Sequence, residues 1–304
     1  MTNDTQQAMV LGSFLGDSLA LGAHWIYDQQ RIAERIGRVD RLLPPPAGSF
    51  HAGKQAGEFT HYGDQTLVLL RSIAANQGFD LQHFAEDWRG FMHSYQGYFD
   101  QATKGTLAGF DKGLDPESAG SRSNDLAGAS RIAPLVCVLE HDLEELLQAA
   151  QAQTRMTHQH PGVVESAAFF ARTARAVLQG TRPVEALEQS AQAGYQDLPA
   201  RNWVSRGLQA AGQDSVAALA GFGISCHLPE AFPGTVQLIA RHQDDLEEAL
   251  IQNVMAGGDS AARGLLVGMV LGAWHGLEAL PEDWRHSLAA GEEIREMLSR
   301  IEGL

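Results

Sequence analysis

Two aspartates stand just before apolar segments far apart in the chain, and each could do acid–base or metal chemistry. Asp64 lies in the polar run 61–66, and Asp259 lies in the turn 257–260. A carboxylate can act as a general base or as an oxygen ligand for a hard cation such as Mg²⁺. Aspartate is also a common helix N-cap, so both residues could instead serve only to start helices.

Two further polar clusters are candidates for ligand binding. Residues 124–131 contain Gly128 and Ser130 and end in an arginine, a composition that suits either a turn with a structural arginine or a backbone nest for phosphate groups. Residues 157–161 hold two histidines, at 158 and 160, and this spacing is too weak to indicate a metal site. It favours a surface or capping histidine.

Several common nucleotide and hydrolase signatures are missing from the sequence. It contains no GxxxxGK[ST] loop, no GxGxxG after a strand, no GxSxG elbow and no HExxH pair. The usual phosphate-loop, dinucleotide, serine-hydrolase and zinc-protease functions therefore have no support here.

The elements that would position these residues are helices. Apolar residues recur at helical spacing and period-2 alternation is almost absent, which predicts an all-α protein with one domain over residues 1–304. Two long irregular stretches, 41–64 and 111–130, are expected to carry function. The predicted helices cover 6–26, 65–76, 81–95, 131–153, 162–180, 184–194, 213–221, 244–256, 260–278 and 283–302.

A stripe of small residues predicts which helices pack together. Glycines occur every fourth residue from Gly264 to Gly276, and Gly12, Gly16 and Ala20 repeat the spacing near the other end of the chain. Such spacing puts the small residues on one face of a helix. Each glycine costs about 1 kcal/mol of helix stability relative to alanine, so close approach of another backbone is the expected compensation.

Composition narrows the range of partners and compartments. The 304 residues carry a formal net charge of −15, which argues against nucleic acid and anionic membranes as partners. The two cysteines form no CxxC pair, as expected of thiols in a reducing compartment. With no signal-like leader and no apolar run long enough to span a membrane, the sequence predicts a cytoplasmic protein.

The order of the polar clusters resembles the ADP-ribosylglycohydrolase family, which includes crystallin-like members. The family's GDALG, TDDT, MR-x-x-P, TH-x-x-P, GDSDT and GA-x-x-G motifs have counterparts over nearly the full length. These counterparts begin at Gly16, Gly63, Ser130, Thr157, Gly258 and Gly272. The resemblance implies an all-α, single-domain orthogonal helical bundle. It also implies hydrolysis of bonds to ADP-ribose with the help of paired magnesium ions.

Departures from the family motifs imply a divergent branch with degenerate metal motifs. Gly63 and Gln65 replace a threonine and an aspartate of TDDT, and Ala261 and Ala262 replace the Asp and Thr of GDSDT. Asp64 and Asp259 remain, and they could hold at most one weakly bound Mg²⁺, so no dinuclear magnesium site is expected. Arg263 follows the lost ligands and is the predicted counter-ion of both aspartates.

The resemblance predicts a hydrolase that acts on an N- or O-glycosidic bond of an ADP-ribosyl or related ribosyl substrate at a metal-poor site. Asp64 or Asp259 is the expected base and His24, which stands where the family has a glutamate, the expected acid. The alternative is a catalytically inactive protein that binds ADP-ribose or a nucleotide, or a crystallin-like structural protein. An open cleft between the aspartates favours catalysis, and a cleft filled by an Arg263 salt bridge favours the alternative. The expected ligand-binding residues are Gln65, Thr66, Gly128, Ser130, His158, Ser260 and Arg263.

Overall fold

The computed structural model describes residues 3–301 and is all-helical, as the sequence predicts. Within that range there is no strand, only two isolated β-bridges, and no helix is long and apolar enough to cross a membrane. A π-helical turn (Ile32–Ile36) and a 3₁₀ turn (Leu277–Ala279) accompany the α-helices. The α-helices are α1 (Asn3–Ala20), α2 (Gln29–Arg31), α3 (His61–Asn76), α4 (Leu81–Ser94), α5 (Gln101–Asp111), α6 (Ala127–Ser130), α7 (Ala133–Leu139), α8 (Leu143–Thr157), α9 (Pro161–Leu178), α10 (Pro183–Ala191), α11 (Ala200–Gln209), α12 (Ser215–Phe222), α13 (Leu228–Arg241), α14 (Leu246–Met255), α15 (Ser260–His275), α16 (Glu282–Ser287) and α17 (Gly291–Arg300).

The centre of the fold is the pair α1 and α15, which pack through their small faces as predicted. A Cβ atom built on Gly12 would lie 2.4 Å from the carbonyl oxygen of Gly268, and one on Gly16 would lie 2.1 Å from that of Gly264. Both contacts are with backbone, which cannot move aside as a side chain can. Because these glycines have no side chains, the backbones of the two helices can touch. The turn that follows α1 therefore lies next to the turn that precedes α15.

Helix α1 ends at Ala20, not near residue 26 as predicted. After it the chain turns, and Trp25 adopts a left-handed conformation with φ of 62°. The Trp25 N–H donates to the Gly258 carbonyl, and the Gly258 N–H donates to the Ile26 carbonyl, each at 2.9 Å. These bonds to the turn before α15 replace the last helical turn, and they fix His24 beside that turn.

The start of α3 also differs from the prediction. The helix begins at His61 and its N-cap is Thr60, whose hydroxyl accepts a hydrogen bond from the Tyr62 N–H. The cap interpretation of Asp64 is therefore wrong, and its carboxylate is free to bond elsewhere. For Asp259 the cap interpretation is right, because its side chain accepts from the Ala262 N–H.

Other helix boundaries also differ from those that the local sequence pattern predicts. The predicted helix 131–153 is two helices, α7 and α8, because Asp142 caps a new helix by accepting from two backbone N–H groups. Five helices were not predicted: the short α2 and α6, and the longer α5, α11 and α13. Helix α13 contains two prolines, and the first, Pro229, lies in the first turn, where its missing N–H costs nothing. Pro233 lies inside the helix, in a segment whose apolar face is buried.

Candidate active site

Asp259 is a fully buried carboxylate at the start of α15. Its Oδ2 accepts a hydrogen bond from the Tyr62 hydroxyl at 3.2 Å, and the Nδ1 atom of His24 lies 3.9 Å from its Oδ1. Burial raises the pKa of Asp259 to about 6, although the positive charge of Arg263 opposes the shift. This carboxyl group can therefore exchange a proton near neutral pH.

A cluster of aromatic rings surrounds this carboxylate. The ring of His24 lies 5.3 Å from that of His51, and the ring of His51 lies 5.3 Å from that of His61, between centroids. Neither ring nitrogen of His24 or His51 has a hydrogen-bond partner among residues 3–301. Burial lowers the pKa of His51 to about 3 and that of His24 well below its usual value, so both imidazoles are neutral at pH 7. The cluster consists of His24, Trp25, His51, His61 and Tyr62.

Asp64 is already engaged by two donors. The Lys54 ammonium lies 2.6 Å from its Oδ2, and the Tyr95 hydroxyl donates to the same oxygen. The net effect on the pKa of Asp64 is upward, because burial outweighs the opposing charge of Lys54. Asp64 is thus one half of a largely buried ion pair and not a free carboxylate.

The two aspartates border the same turn of α3. Asp64 belongs to that turn, and Tyr62, two residues earlier, donates to Asp259. His61 lies close enough to both carboxyl groups for its charge to act against the rise in their pKa values. Across the described residues the two aspartates share no hydrogen-bond donor. His24 and Asp259 are therefore in direct proximity, whereas Asp64 faces Lys54.

Asp17, the residue after Gly16 in the first motif, is a structural acid of this site. Its carboxylate accepts hydrogen bonds from the Thr60 N–H at 2.8 Å, the Thr60 hydroxyl at 2.6 Å and the Gly63 N–H at 3.2 Å. A Cβ atom on Gly63 would lie 2.5 Å from Asp17 Oδ2. The glycine that replaces the threonine of the family motif thus makes room for Asp17, which holds the start of α3.

Gln65 and Thr66 turn away from Asp64. The Gln65 side-chain oxygen accepts from Trp88 Nε1 at 2.9 Å and from the Arg131 guanidinium, and its amide nitrogen donates to the His61 carbonyl. The Thr66 hydroxyl donates to the carbonyl one turn earlier. Both side chains are buried, so the Gln65 oxygen is occupied inside the core and does not face a cleft.

Gly128, Ser130 and His158 form a second packed group. The ring of His158 lies against Gly128, where a Cβ atom would be 2.5 Å from it. Of the two positions that the spacing favoured, the surface is wrong because His158 is buried, and the cap is right because His158 is the C-cap residue of α8. Burial, helped by the positive charge of Arg131, lowers the pKa of His158 to about 4. The Ser130 hydroxyl is buried and donates to the Ala127 carbonyl, so its proton is already engaged.

Arg263 does not form the salt bridge that the sequence predicts. Its guanidinium donates to Asn253 Oδ1 at 3.1 Å and to the Gly257 carbonyl at 2.6 Å, and in residues 3–301 no carboxylate lies within 4.0 Å of it. Burial lowers the pKa of Arg263 to about 10, and it acts on Asp259 only through space. The neighbouring Ser260 hydroxyl is buried and has no partner in the described part of the chain.

Sequence reasoning missed Lys54, His51, His61 and Tyr95. The first three lie in the stretch 41–64, which was expected to carry function because of its length, but nothing in the stretch indicates which side chains turn inward. Tyr95 ends α4 and reaches Asp64 from another element.

The comparisons with known proteins agree with the geometry. A model of the ADP-ribosylglycohydrolase family matches residues 2–304. Crystallin J1B of Tripedalia cystophora is 23% identical over 98% of this chain and 96% of the relative. ADP-ribosylhydrolase ARH3 of Mus musculus is 23% identical over 93% and 86%, and the ADP-ribosyl-[dinitrogen reductase] glycohydrolase of Rhodospirillum rubrum is 24% identical over 100% and 98%. A solved structure titled "ADP-ribosylglycohydrolase-related protein complex" has the same fold, with a TM-score of 0.76, 22% identity and coverage of 98% of this chain and 97% of that one. The chain therefore belongs to the ADP-ribosylglycohydrolase family.

Proposed function

We propose that the chain is a hydrolase that cleaves an N- or O-glycosidic bond of an ADP-ribosyl or related ribosyl substrate. One observation carries the proposal: Asp259 is buried beside His24 and the Tyr62 hydroxyl, and its pKa is about 6. Glycosidic bonds break through an oxocarbenium-like transition state, and a carboxylate that activates water supplies the base. A carboxyl group with its pKa near the working pH suits that role.

The neighbours of Asp259 have supporting roles in this proposal. Because burial keeps His24 neutral, it acts as a hydrogen-bond donor or acceptor that orients the substrate or water, and not as the acid. The Tyr62 hydroxyl donates to Oδ2, whereas Oδ1 accepts the capping bond from the Ala262 N–H and lies 3.9 Å from His24 Nδ1. Asp64 is not the base, because Lys54 and Tyr95 already bind it.

The donor set does not fit a pair of magnesium ions. The family's metal chemistry needs several free oxygen ligands, whereas Asp64 is bound by an ammonium, Asp259 by a hydroxyl and Gln65 by core donors. The ammonium of Lys54 stands against Asp64, where a cation would otherwise be attracted. We therefore assign the positive charge of this site to Lys54, in place of Arg263, and derive no step through a metal.

A cavity of about 610 Å³ next to Asp64 suits the rest of the substrate. Its walls include aromatic rings, on which a base or ribose can stack, and the ammonium of Lys104, which can face phosphate, whereas the ammonium of Lys54 is paired with Asp64. The chain has only three lysines, and two of them, Lys54 and Lys104, line this cavity. In a protein with a net charge of −15, that placement favours an anionic ligand here. The lining includes Phe50, His51, Lys54, Tyr95, Tyr98 and Lys104.

Replacement of Asp259 tests the proposal. Asp259→Asn should reduce hydrolysis of ADP-ribosyl substrates by about 10²–10⁴-fold, the range typical of a lost general base, without abolishing ADP-ribose binding in calorimetry. Asp87→Asn, at an exposed position of α4, is the matched control. If the wild type turns over none of these substrates with or without Mg²⁺, or if Asp259→Asn is as active as the wild type, the proposal fails.

The second candidate is a ligand-binding or structural protein. The similarity to crystallin J1B over nearly the whole of both chains favours it, as does the closed Lys54–Asp64 ion pair. Under this alternative ADP-ribose binds in the cavity, or nothing does, and no substrate is hydrolysed.

A further inference from the structure

Outside this catalytic cluster, three side chains of different chemistry converge on its rim. Asp125, Cys226 and His227 each offer a ligand atom, and these atoms all lie within 4.8 Å of one another. The Asp125 carboxylate lies 3.4 Å from His227 Nδ1. In a tetrahedral zinc site, bond lengths of roughly 2.0–2.3 Å place neighbouring ligand atoms about 3.3–3.6 Å apart. The distance between the Asp125 oxygen and His227 Nδ1 is therefore already the distance between two ligand atoms of a tetrahedral site.

The backbone holds these residues in place before any ion binds. Asp125 and His227 form an antiparallel β-bridge, one of the two bridges in the described chain. The Leu126 N–H donates to the Cys226 carbonyl at 2.9 Å, and the Leu228 N–H donates to the Asn124 carbonyl at 3.0 Å. Two loops from distant parts of the sequence are therefore joined at the three side chains, so little ordering would be needed for binding.

We propose that Asp125, Cys226 and His227 form a binding site for one zinc-like divalent cation. A thiolate and an imidazole select borderline metals such as Zn²⁺ over Mg²⁺ or Ca²⁺, which prefer oxygen ligands only. The His227 Nδ1–H and Asn124 Oδ1 lie 2.8 Å apart and share a hydrogen bond, so binding of a cation at Nδ1 breaks this bond and moves the ring proton to Nε2, and water takes the fourth position. The cation displaces the thiol proton of Cys226 to solvent and binds the resulting thiolate.

Access and charge suit the site. The His227 side chain is 56% exposed and that of Asp125 19% exposed, so an ion can enter from solvent. Burial raises the pKa of the Cys226 thiol, and the negative charge of Asp259 and a hydrogen bond to Asp125 add to the shift, so the thiol keeps its proton until a cation binds. A bound cation would lie within electrostatic reach of Asp259. The inference nevertheless stands without the proposed hydrolase activity.

Zinc binding by the full-length chain tests it. After treatment with a chelator, calorimetry with Zn²⁺ should show one site per chain in the wild type. Cys226→Ser and His227→Ala should each weaken it at least tenfold, whereas Cys137→Ser, at the buried cysteine of α7, should not. Co²⁺ should give a thiolate charge-transfer band that disappears only in Cys226→Ser.

Thermal unfolding of each variant shows whether it is folded. Because the His227 side chain is exposed, His227→Ala should melt at the same temperature as the wild type. A folded His227→Ala protein that binds Zn²⁺ as tightly as the wild type would overturn the proposal. So would a wild type that binds no Zn²⁺ stoichiometrically, or a cobalt band that persists without Cys226.

Discussion

At the scale of single residues, burial and not sequence neighbours decides the chemistry of this site. Asp259 and Asp64 both stand in short polar runs, but the first contacts a hydroxyl and an imidazole whereas the second is closed by an ammonium. A fixed positive charge beside the aspartates was expected, and one is present at Asp64, but the residue that carries it is not Arg263. Arg263 is bonded to an amide and a carbonyl, and Lys54 neutralises Asp64.

Removal of Lys54 should therefore change what Asp64 binds. In Lys54→Met the carboxylate loses its cation, so its pKa should rise further and weak Mg²⁺ binding should appear. Calorimetric titration with Mg²⁺ checks this, with Lys104→Met, a lysine of the same cavity that does not contact Asp64, as the control. Equal Mg²⁺ affinity in the two variants would contradict the assignment of Lys54.

The buried histidines predict how stability depends on pH. The folded-state pKa values of His51 and His158 are about 3 and 4, below the usual 6.5, so the unfolded chain takes up protons first as the pH falls. Their contribution is present above pH 6.5 and is lost as the pH drops toward 4. Three carboxyl groups act in the opposite sense because burial raises their pKa values, and four histidines with lowered pKa values outnumber them. The carboxyl groups are Asp17, Asp64 and Asp259, and the histidines are His24, His51, His158 and His242.

Urea unfolding at pH 7, 6 and 5 should show a falling free energy of unfolding. His51→Gln, which cannot titrate, should have a shallower pH dependence than the wild type, while the exposed His83→Gln should not. The same slope in all three proteins would mean that His51 is protonated in the folded state.

At the scale of elements, the pairing of α1 with α15 is what brings the site together. The turn after α1 carries His24, the turn before α15 carries Asp259, and the backbone bonds of Gly258 connect the two. Helix α3 then brings Tyr62 and Asp64 against this junction. A change in the helix contact should therefore be felt at the site.

Gly268→Leu should destabilise the protein by roughly 1–3 kcal/mol or more, because even its Cβ atom would lie 1.9 Å from the carbonyl oxygen of Gly12. Gly90→Ala is the contrast, since a Cβ atom there meets nothing within 4 Å. It should be neutral or stabilising by about 1 kcal/mol through helix propensity. Thermal and urea unfolding measure both, and an unchanged Gly268→Leu protein would refute the close contact.

At the scale of the whole molecule, charge is unevenly placed. The chain as a whole is strongly acidic, yet two of its three lysines line one cavity. Long-range repulsion should slow the approach of an anionic ligand, so its affinity must depend on these local cations.

Lys104→Met should accordingly weaken ADP-ribose binding by about tenfold, roughly 1.4 kcal/mol. Lys112→Met, the third lysine, lies outside the cavity lining and should bind like the wild type. Calorimetric titration with ADP-ribose at constant ionic strength measures the affinity of both variants. Equal losses in both variants would point to general charge and not to the cavity.

Local patterns in the sequence determined the helical class, the glycine-lined helix pair and the family, but they could not tell that Asp259 caps a helix and Asp64 does not. These depend on residue spacing along one element or on the order of motifs, both of which can be read without coordinates. Helix ends were harder, as the splitting of 131–153 and the early end of α1 show, because long-range hydrogen bonds compete with local propensity.

Only the tertiary structure decided which side chains meet. Lys54 on Asp64, Asp17 against Gly63, and Asp125 beside Cys226 and His227 join residues from different elements. The pKa values follow from the same cause, since burial and neighbouring charge arise only when the chain is packed. The types of residue available to the site are thus written in the sequence, whereas their protonation and partners are properties of the fold.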